Sequence, residues 1–455
     1  MYEVLTDILF SVMFALIPLT ALTLLPFAKI SLRRFSIPSL FIIFYMAFAY
    51  VGIFPFYFGL DAYAVSLGIV NREIIYMMFI YSSVALIMII CGFIYAHRVF
   101  GINPNFIKQR VLVSSNLIQR MFIFCLFLIC GLVLLSYIRK IGTIALFQAL
   151  HGDVAGALVA RSNMGNAFEG KYWRYHIFFR NLLDYCVIFF FADYLINRRR
   201  LSILIFTASF FVAAFSATMA IEKTPLVNLM IMLYLTYVIY RGGNYWQSAG
   251  KYVLVMIISI LSFFYIFFMN APNLILAFQY VLRRIFTGQI TPAYFYLNLF
   301  PHHIDYLWGT SFPNPGGLMP FQPFPLTVEV AKVIFPNDVA KGIVGSAPTV
   351  FWAEMYANFG PIGIIISSFL VGIGLFIVSH ILSKFSLSSP IIAATVSLAM
   401  HYKTLTGTGL SGYFFDIDFF LISAITFIAL LLRGKILIRR KVQFTKAKEG
   451  LLHPK

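Results

Sequence analysis

Residues 74–97 read Ile-Ile-Tyr-Met-Met-Phe-Ile-Tyr-Ser-Ser-Val-Ala-Leu-Ile-Met-Ile-Ile-Cys-Gly-Phe-Ile-Tyr-Ala-His, with no acid, lysine or arginine between Glu73 and Arg98. As a helix this stretch is about 36 Å long, enough to cross the roughly 30 Å hydrocarbon layer of a bilayer. Comparable runs recur along the chain. They place eleven spans (range ten to twelve) near 4–28, 37–58, 74–97, 121–138, 180–196, 201–221, 225–240, 252–270, 361–383, 390–409 and 413–432. Of the 455 residues 61% are hydrophobic, 18% aromatic and 11% charged. A soluble domain carries roughly 25% charge, so a soluble enzyme is excluded. With 51 Phe and 26 Tyr the chain is not a disordered one either. The expected fold is an all-α polytopic membrane protein.

The formal charge of +18 resembles that of a nucleic-acid binder until it is placed along the chain. Alternate connections (29–36, 98–120, 197–200, 241–251, 384–389 and 433–455) hold 21 Lys/Arg and one acid, Glu449. The other connections, with the span ends beside them, hold 13 of each sign. The positive-inside rule makes the basic set cytoplasmic, which puts the N-terminus outside and the C-terminus inside. No nucleic acid is needed to explain the charge. A cleavable signal peptide is not expected, since Glu3 and Asp7 precede the first basic residue, Lys29. Cys91, Cys125, Cys130 and Cys186 all fall inside spans, which argues against a disulfide framework or a metal site.

On this reading the chain divides into four helices over 1–138, a first long outer loop at 139–179, and four helices over 180–270. A large outer loop at 271–360, three helices over 361–432 and a basic cytoplasmic tail at 433–455 follow. Loops of such length are usually functional or disordered. The large one is rich in Tyr294, Phe295, Tyr296, Phe300, Tyr306 and Trp308 and has prolines from Pro313 to Pro325, so it is expected to be folded. Segments 274–287 and 326–335 read as short interfacial helices. The outer face is therefore where function is sought.

Cations on that face oppose the topology rule. Arg139, Lys140 and Arg180 sit beside span ends, where snorkelling to lipid headgroups is the expectation. Arg161, Arg174, Arg283 and Arg284 lie further from them and suggest an anionic ligand. Guanidinium forks match phosphate oxygens two at a time, as a diphosphate site needs. The tight hairpin Glu222-Lys223-Thr224-Pro225 opens a span, where free N–H groups also favour anions. It reads equally well as an ordinary capped hairpin. Finally, Gly345-Ser-Ala-Pro leads through Trp352, Glu354, Tyr356 and Asn358 to Gly360-Pro-Ile-Gly363. Glu354 and Asn358 share one helix face with Phe351. Such a carboxylate suits a general base, a partner for sugar hydroxyls, or a structural pair for an arginine.

The many spans, the two long outer loops, the Glu-Lys-Thr-Pro hairpin and the Gly-Ser-x-Pro…Ala-Glu-x-Tyr-x-Asn-Phe-Gly-x-x-Gly segment together resemble the Wzy-type oligosaccharide repeat-unit polymerases, the O-antigen polymerase family. One departure is that no outer-loop arginine has glycine sixteen residues later, a pattern of some members. The resemblance implies a glycosyltransferase at the outer face of the bacterial inner membrane. Undecaprenyl-diphosphate-linked oligosaccharides would be donor and acceptor, with no metal, cofactor or nucleotide sugar. The growing chain would pass to the non-reducing end of a new lipid-linked unit. A Wzx-type flippase, a Wzz-type chain-length regulator and membrane lipids are the implied partners. In that frame Arg161, Arg174, Lys223, Arg283 and Arg284 grip the donor diphosphate and Glu354 is the base. Glu222, Tyr294, Trp352, Tyr356 and Asn358 meet the acceptor or its sugars, and Trp173 and Trp308 are further stacking surfaces.

Two other readings stay open. An O-antigen ligase shares the donor and transfers to a lipid A core. A flippase or transporter needs ionisable groups inside the bundle, and Asp184 is the clear mid-span acid. Asp416-Ile-Asp418 suggests a metal motif, but on a helix the two side chains diverge and capping is expected. His302 and His303 are a weak metal signal, and His401 beside Lys403 reads as a structural polar group.

Overall fold

The computed structural model describes residues 2–101, 112–166, 172–245, 255–259, 261–262, 266, 273–340 and 345–433. The sequence-expected span at 252–270 and the basic tail at 433–455 lie largely outside the described residues. Helices α1 (Tyr2–Leu24), α2 (Ile37–Tyr57), α3 (Arg72–Phe100) and α4 (Leu117–Ile141) come first. In the first long loop lies α5 (Val154–Asn166). Next are α6 (Leu183–Asn197), α7 (Arg200–Thr218) and α8 (Lys223–Tyr240). The large loop holds α9 (Leu274–Phe286), α10 (Thr291–Leu299) and α11 (Leu326–Ile334). The bundle resumes with α12 (Phe351–Ser383), α13 (Ser389–Lys403) and α14 (Ile417–Leu431). Among the described residues, eight helices are long and apolar enough to cross a membrane. The protein is thus all-α and multi-pass.

The expected span at 180–196 is helical throughout, entering α6 from a π-helical segment at Ile177–Leu182. The one at 390–409 holds a regular helix of 15 residues, α13. It is buried among other helices, where a short span is tolerated because protein, not lipid, surrounds its ends. Expected span 361–383 instead begins at Phe351 and kinks at Gly360, whose φ of 63° and ψ of −155° suit glycine alone. Pro361 follows and lacks the N–H that a straight helix would use there. The helix runs on through this kink. α1 is at the opposite extreme, with Val4, Leu5, Ile8, Leu9 and Leu16 all exposed. So much outward apolar surface requires lipid to cover it.

α3 and α12 pack along most of their length. They touch at Gly92 and Gly372: a Cβ on Gly92 would meet the Phe369 carbonyl, and one on Gly372 the Ile89 carbonyl. Hydrocarbon gives helices no hydrophobic reason to associate, so close backbone approach through small residues does that work. α6 lies at the centre, against α4, α7, α8 and α13.

Two sets of connections meet at the two ends of the bundle. At one, which we call the basic end, Arg34 bridges to Asn244, and Leu112–Val113 pairs in parallel with Leu387–Ser388. Asn116 Nδ2 donates to the Leu432 carbonyl at 3.1 Å. At the other, the long-loop end, Leu146 N–H donates to the Met219 carbonyl (3.1 Å) and Thr287 Oγ1 to Asp61 (2.8 Å). These contacts sort the connections as their charge does. The first long loop forms its own small core, in which Tyr137, Ala160, Met164 and Phe179 surround Met219.

Candidate functional site

A cavity of about 580 Å3 opens at the long-loop end, within the roughly 300–1,000 Å3 usual for small-molecule sites. Its wall comes from α6 and the turns before it (His176, Arg180, Asn181, Asp184), α8 (Pro225, Asn228), α10 (Tyr296) and α12 (Glu354). His401 at the end of α13, the segment after it (Thr404, Thr408, Ser411, Tyr413) and Asp418 of α14 close it. Hydroxyls, amides and charges therefore gather in a bundle that is otherwise apolar. Ionisable groups inside a membrane bundle are costly and mark function by default.

The chain reaches the wall through a π-helical segment, Ile177–Leu182, between Tyr172–His176 and α6. Such widened turns often occur at functional sites. Arg180 is the one arginine on the wall among the described residues. Its side chain is only 8% exposed, and it faces Glu222 at 3.5 Å, itself 43% exposed. Snorkelling to headgroups, expected of Arg180, is thus replaced by a buried position. The signal available beforehand was periodicity, because His176, Arg180 and Asp184 recur every fourth residue. Glu222 is correspondingly a partner for Arg180, at the site's edge.

Burial, with the nearby Arg180 charge, lowers the His176 pKa from 6.5 to about 4. Asp418 opposes this weakly. A folded pKa below the unfolded one means protonation opposes folding, so His176 contributes stability above pH 6.5 that is lost as pH falls towards 4. Thermal midpoints should therefore decline over that window in the wild type and less so in His176→Asn. Equal declines would show that His176 is not held neutral.

Three further cations of the sequence reading come together beside this wall. Lys223, half-buried at the start of α8, feels the charges of Arg284 at the end of α9 and of Arg161 on α5. Gathering like charges is unfavourable, and an anion among them relieves it. The other two arginines lie apart from this group. Arg283 turns away to Asp61 (3.5 Å) and lies over the Tyr63 ring (3.7 Å), where it ties α9 to the connection after α2. Adjacent helical residues diverge by about 100°, so Arg283 and Arg284 separate in this way. Arg174 is exposed and rests over Trp173.

Glu354 does reach the cavity, but it is occupied: Ser411 donates to it from N–H (2.9 Å) and from Oγ (2.5 Å). It clamps the segment after α13 and is not a free base. Asn358 is saturated as well. Its Nδ2 donates to Ser311 Oγ and the Glu354 carbonyl, both at 2.8 Å, and its Oδ1 accepts from Gly309 N–H at 2.9 Å. Trp352 is fully buried and so cannot stack on a sugar. Tyr356 packs among Tyr81 and Tyr306, and Tyr294 accepts from Asn71 N–H at 3.2 Å. These are residues that fold the large loop onto the bundle. Of the three loop tryptophans, Trp308 (74%) and Trp173 (50%) are exposed and Trp352 is buried.

Residues that the sequence reading set aside prove to be central. Asp416 caps α14, accepting from Phe419 N–H at 2.8 Å, and also meets His401 Nε2 at 2.9 Å. Asp418 accepts from Asn181 Nδ2 at 2.6 Å and lies 3.7 Å from His401 Nδ1. Both aspartates face one histidine despite their divergence, because Asp416 precedes the helix proper. Buried Lys403 donates to Asn228 at 3.0 Å beneath the cavity. Neither a family model, nor a curated protein, nor a solved structure matches this chain.

Proposed function

We propose that the protein polymerises lipid-linked oligosaccharide repeat units at the outer face of the bacterial inner membrane, with the long-loop end outermost. Undecaprenyl diphosphate carries the donor glycan, and the acceptor is the non-reducing end of a second lipid-linked unit. What supports this is the polar cavity itself: a buried arginine and three carboxylates among hydroxyls and amides, flanked by Lys223, Arg284 and Arg161. Diphosphate departure needs cations, sugars need hydroxyl and amide partners, and activation of an acceptor hydroxyl needs a base. In this reading Arg180 binds the diphosphate within the cavity and the three flanking cations draw it in. The basic end is cytoplasmic, with the N-terminus outside.

A deletion strain tests this. Lipid-linked single repeats should accumulate while polymer disappears from glycan gels. Polymer left on its lipid carrier would point to a ligase, and repeats stranded on the cytoplasmic leaflet to a transporter. Reporter fusions after Lys251 and near Pro315 should read cytoplasmic and extracytoplasmic respectively. The reverse result at Pro315 would overturn the reading.

A further inference from the structure

Three carboxylates reach the cavity, and protein occupies two of them. Glu354 accepts twice from Ser411, and Asp418 is held by Asn181 beside His401. Asp184 differs. It lines the cavity, and among the described residues no hydrogen bond reaches its carboxylate. The charge that acts on it is that of Arg180, one turn back on the same helix face. A carboxylate inside a bundle is expected to be satisfied, so one left open towards a cavity awaits a ligand.

The arrangement suits one chemistry. Arg180 and Asp184 line the same cavity, a cation and a carboxylate facing one space. An anomeric carbon between them would have a departing phosphate oxygen on the arginine side and an attacking oxygen on the aspartate side.

We propose that Asp184 is the base that activates the acceptor hydroxyl opposite an Arg180-bound diphosphate. The proposal rests on the polymerase reading above. The acceptor oxygen bonds to the donor's anomeric carbon as the bond from that carbon to the diphosphate oxygen breaks. The electron pair of the broken bond leaves with undecaprenyl diphosphate. The hydroxyl proton passes to Asp184 and from there to water.

The test uses the full-length protein in lipid nanodiscs, fed lipid-linked single repeats extracted from the deletion strain. Positioned bases contribute 10²- to 10⁴-fold, so Asp184→Asn should lower kcat about a thousandfold. Its thermal midpoint and its binding of undecaprenyl diphosphate should match the wild type. Asp184→Glu should recover part of the rate, and formate should partly rescue Asp184→Ala. Rescue by formate is a readout that a merely structural aspartate would not give. Asp184→Asn within tenfold of an active wild type overturns the base assignment alone, as does the failure of both Asp184→Glu and formate to restore activity. A wild type that links no repeats overturns the polymerase reading and the base with it.

Discussion

Arg180→Lys should slow polymer formation by about a hundredfold, close to 3 kcal/mol of transition-state stabilisation. One ammonium cannot reproduce a planar fork that holds two phosphate oxygens at once. If Arg180 holds the diphosphate as proposed, the contact tightens as charge develops on the leaving group, so the loss should appear in kcat more than in KM. Arg180→Ala should be worse, because it also leaves Glu222 without its cation. Arg161→Ala and Arg284→Ala should each cost about tenfold or less, since both are exposed and water screens them. Purified variants assayed separately for donor binding and polymerisation give the comparison. Wild-type rates in Arg180→Ala, with Arg161→Ala inactive, would move the diphosphate site out to the loops.

Gly372→Val should be the most damaging change to the fold. Its side chain would run into the Ile89 carbonyl at the α3–α12 crossing, where the opposing group is backbone and cannot swing aside. Overpacking a rigid contact costs about 1–3 kcal/mol, and more where two backbones must part. α12 carries Glu354, so a shifted crossing also loosens the clamp on the segment after α13. The expected result is a thermal midpoint well below the wild type, together with lost activity. Gly374→Val is the control, since nothing lies near a Cβ there. Equal behaviour of the two would show that the crossing tolerates separation.

Hydrophobic runs and alternating loop charge were enough to locate most spans and to sort their connections into two ends. Both are local signals that each segment carries by itself. The helical face of Phe351, Glu354 and Asn358 was legible ahead of the span at 361–383, and the structure joins the two into one helix kinked at Gly360. Arg180 was assigned to lipid by its place at a span edge. Its burial depends on α6 lying at the centre of the bundle, which no local pattern encodes. Tryptophan and tyrosine in a long loop suggested sugar platforms, yet Trp352 and Tyr356 are the wedges that fold that loop. Burial of a loop residue is a tertiary property. Asp184 was legible as the clear mid-span acid, but it was set with the transporter reading, and its open place in the cavity shows only once the hydrogen bonds of Glu354 and Asp418 are known.

The shortness of α13 has a consequence for the depth at which the polar cavity lies. Fifteen residues of helix reach about 22 Å, some 8 Å less than the hydrocarbon slab. The chain then turns through Thr404–Thr406 and Ser411–Tyr413 before α14 begins. Its polar floor is in effect countersunk, like a dock cut below the quay. A carrier lipid moored alongside would keep its tail among its neighbours and its diphosphate at headgroup depth. On the proposed polymerase reading, the protein would have no need to lift so greasy a cargo into water, and only the growing sugar chain would have to travel outward.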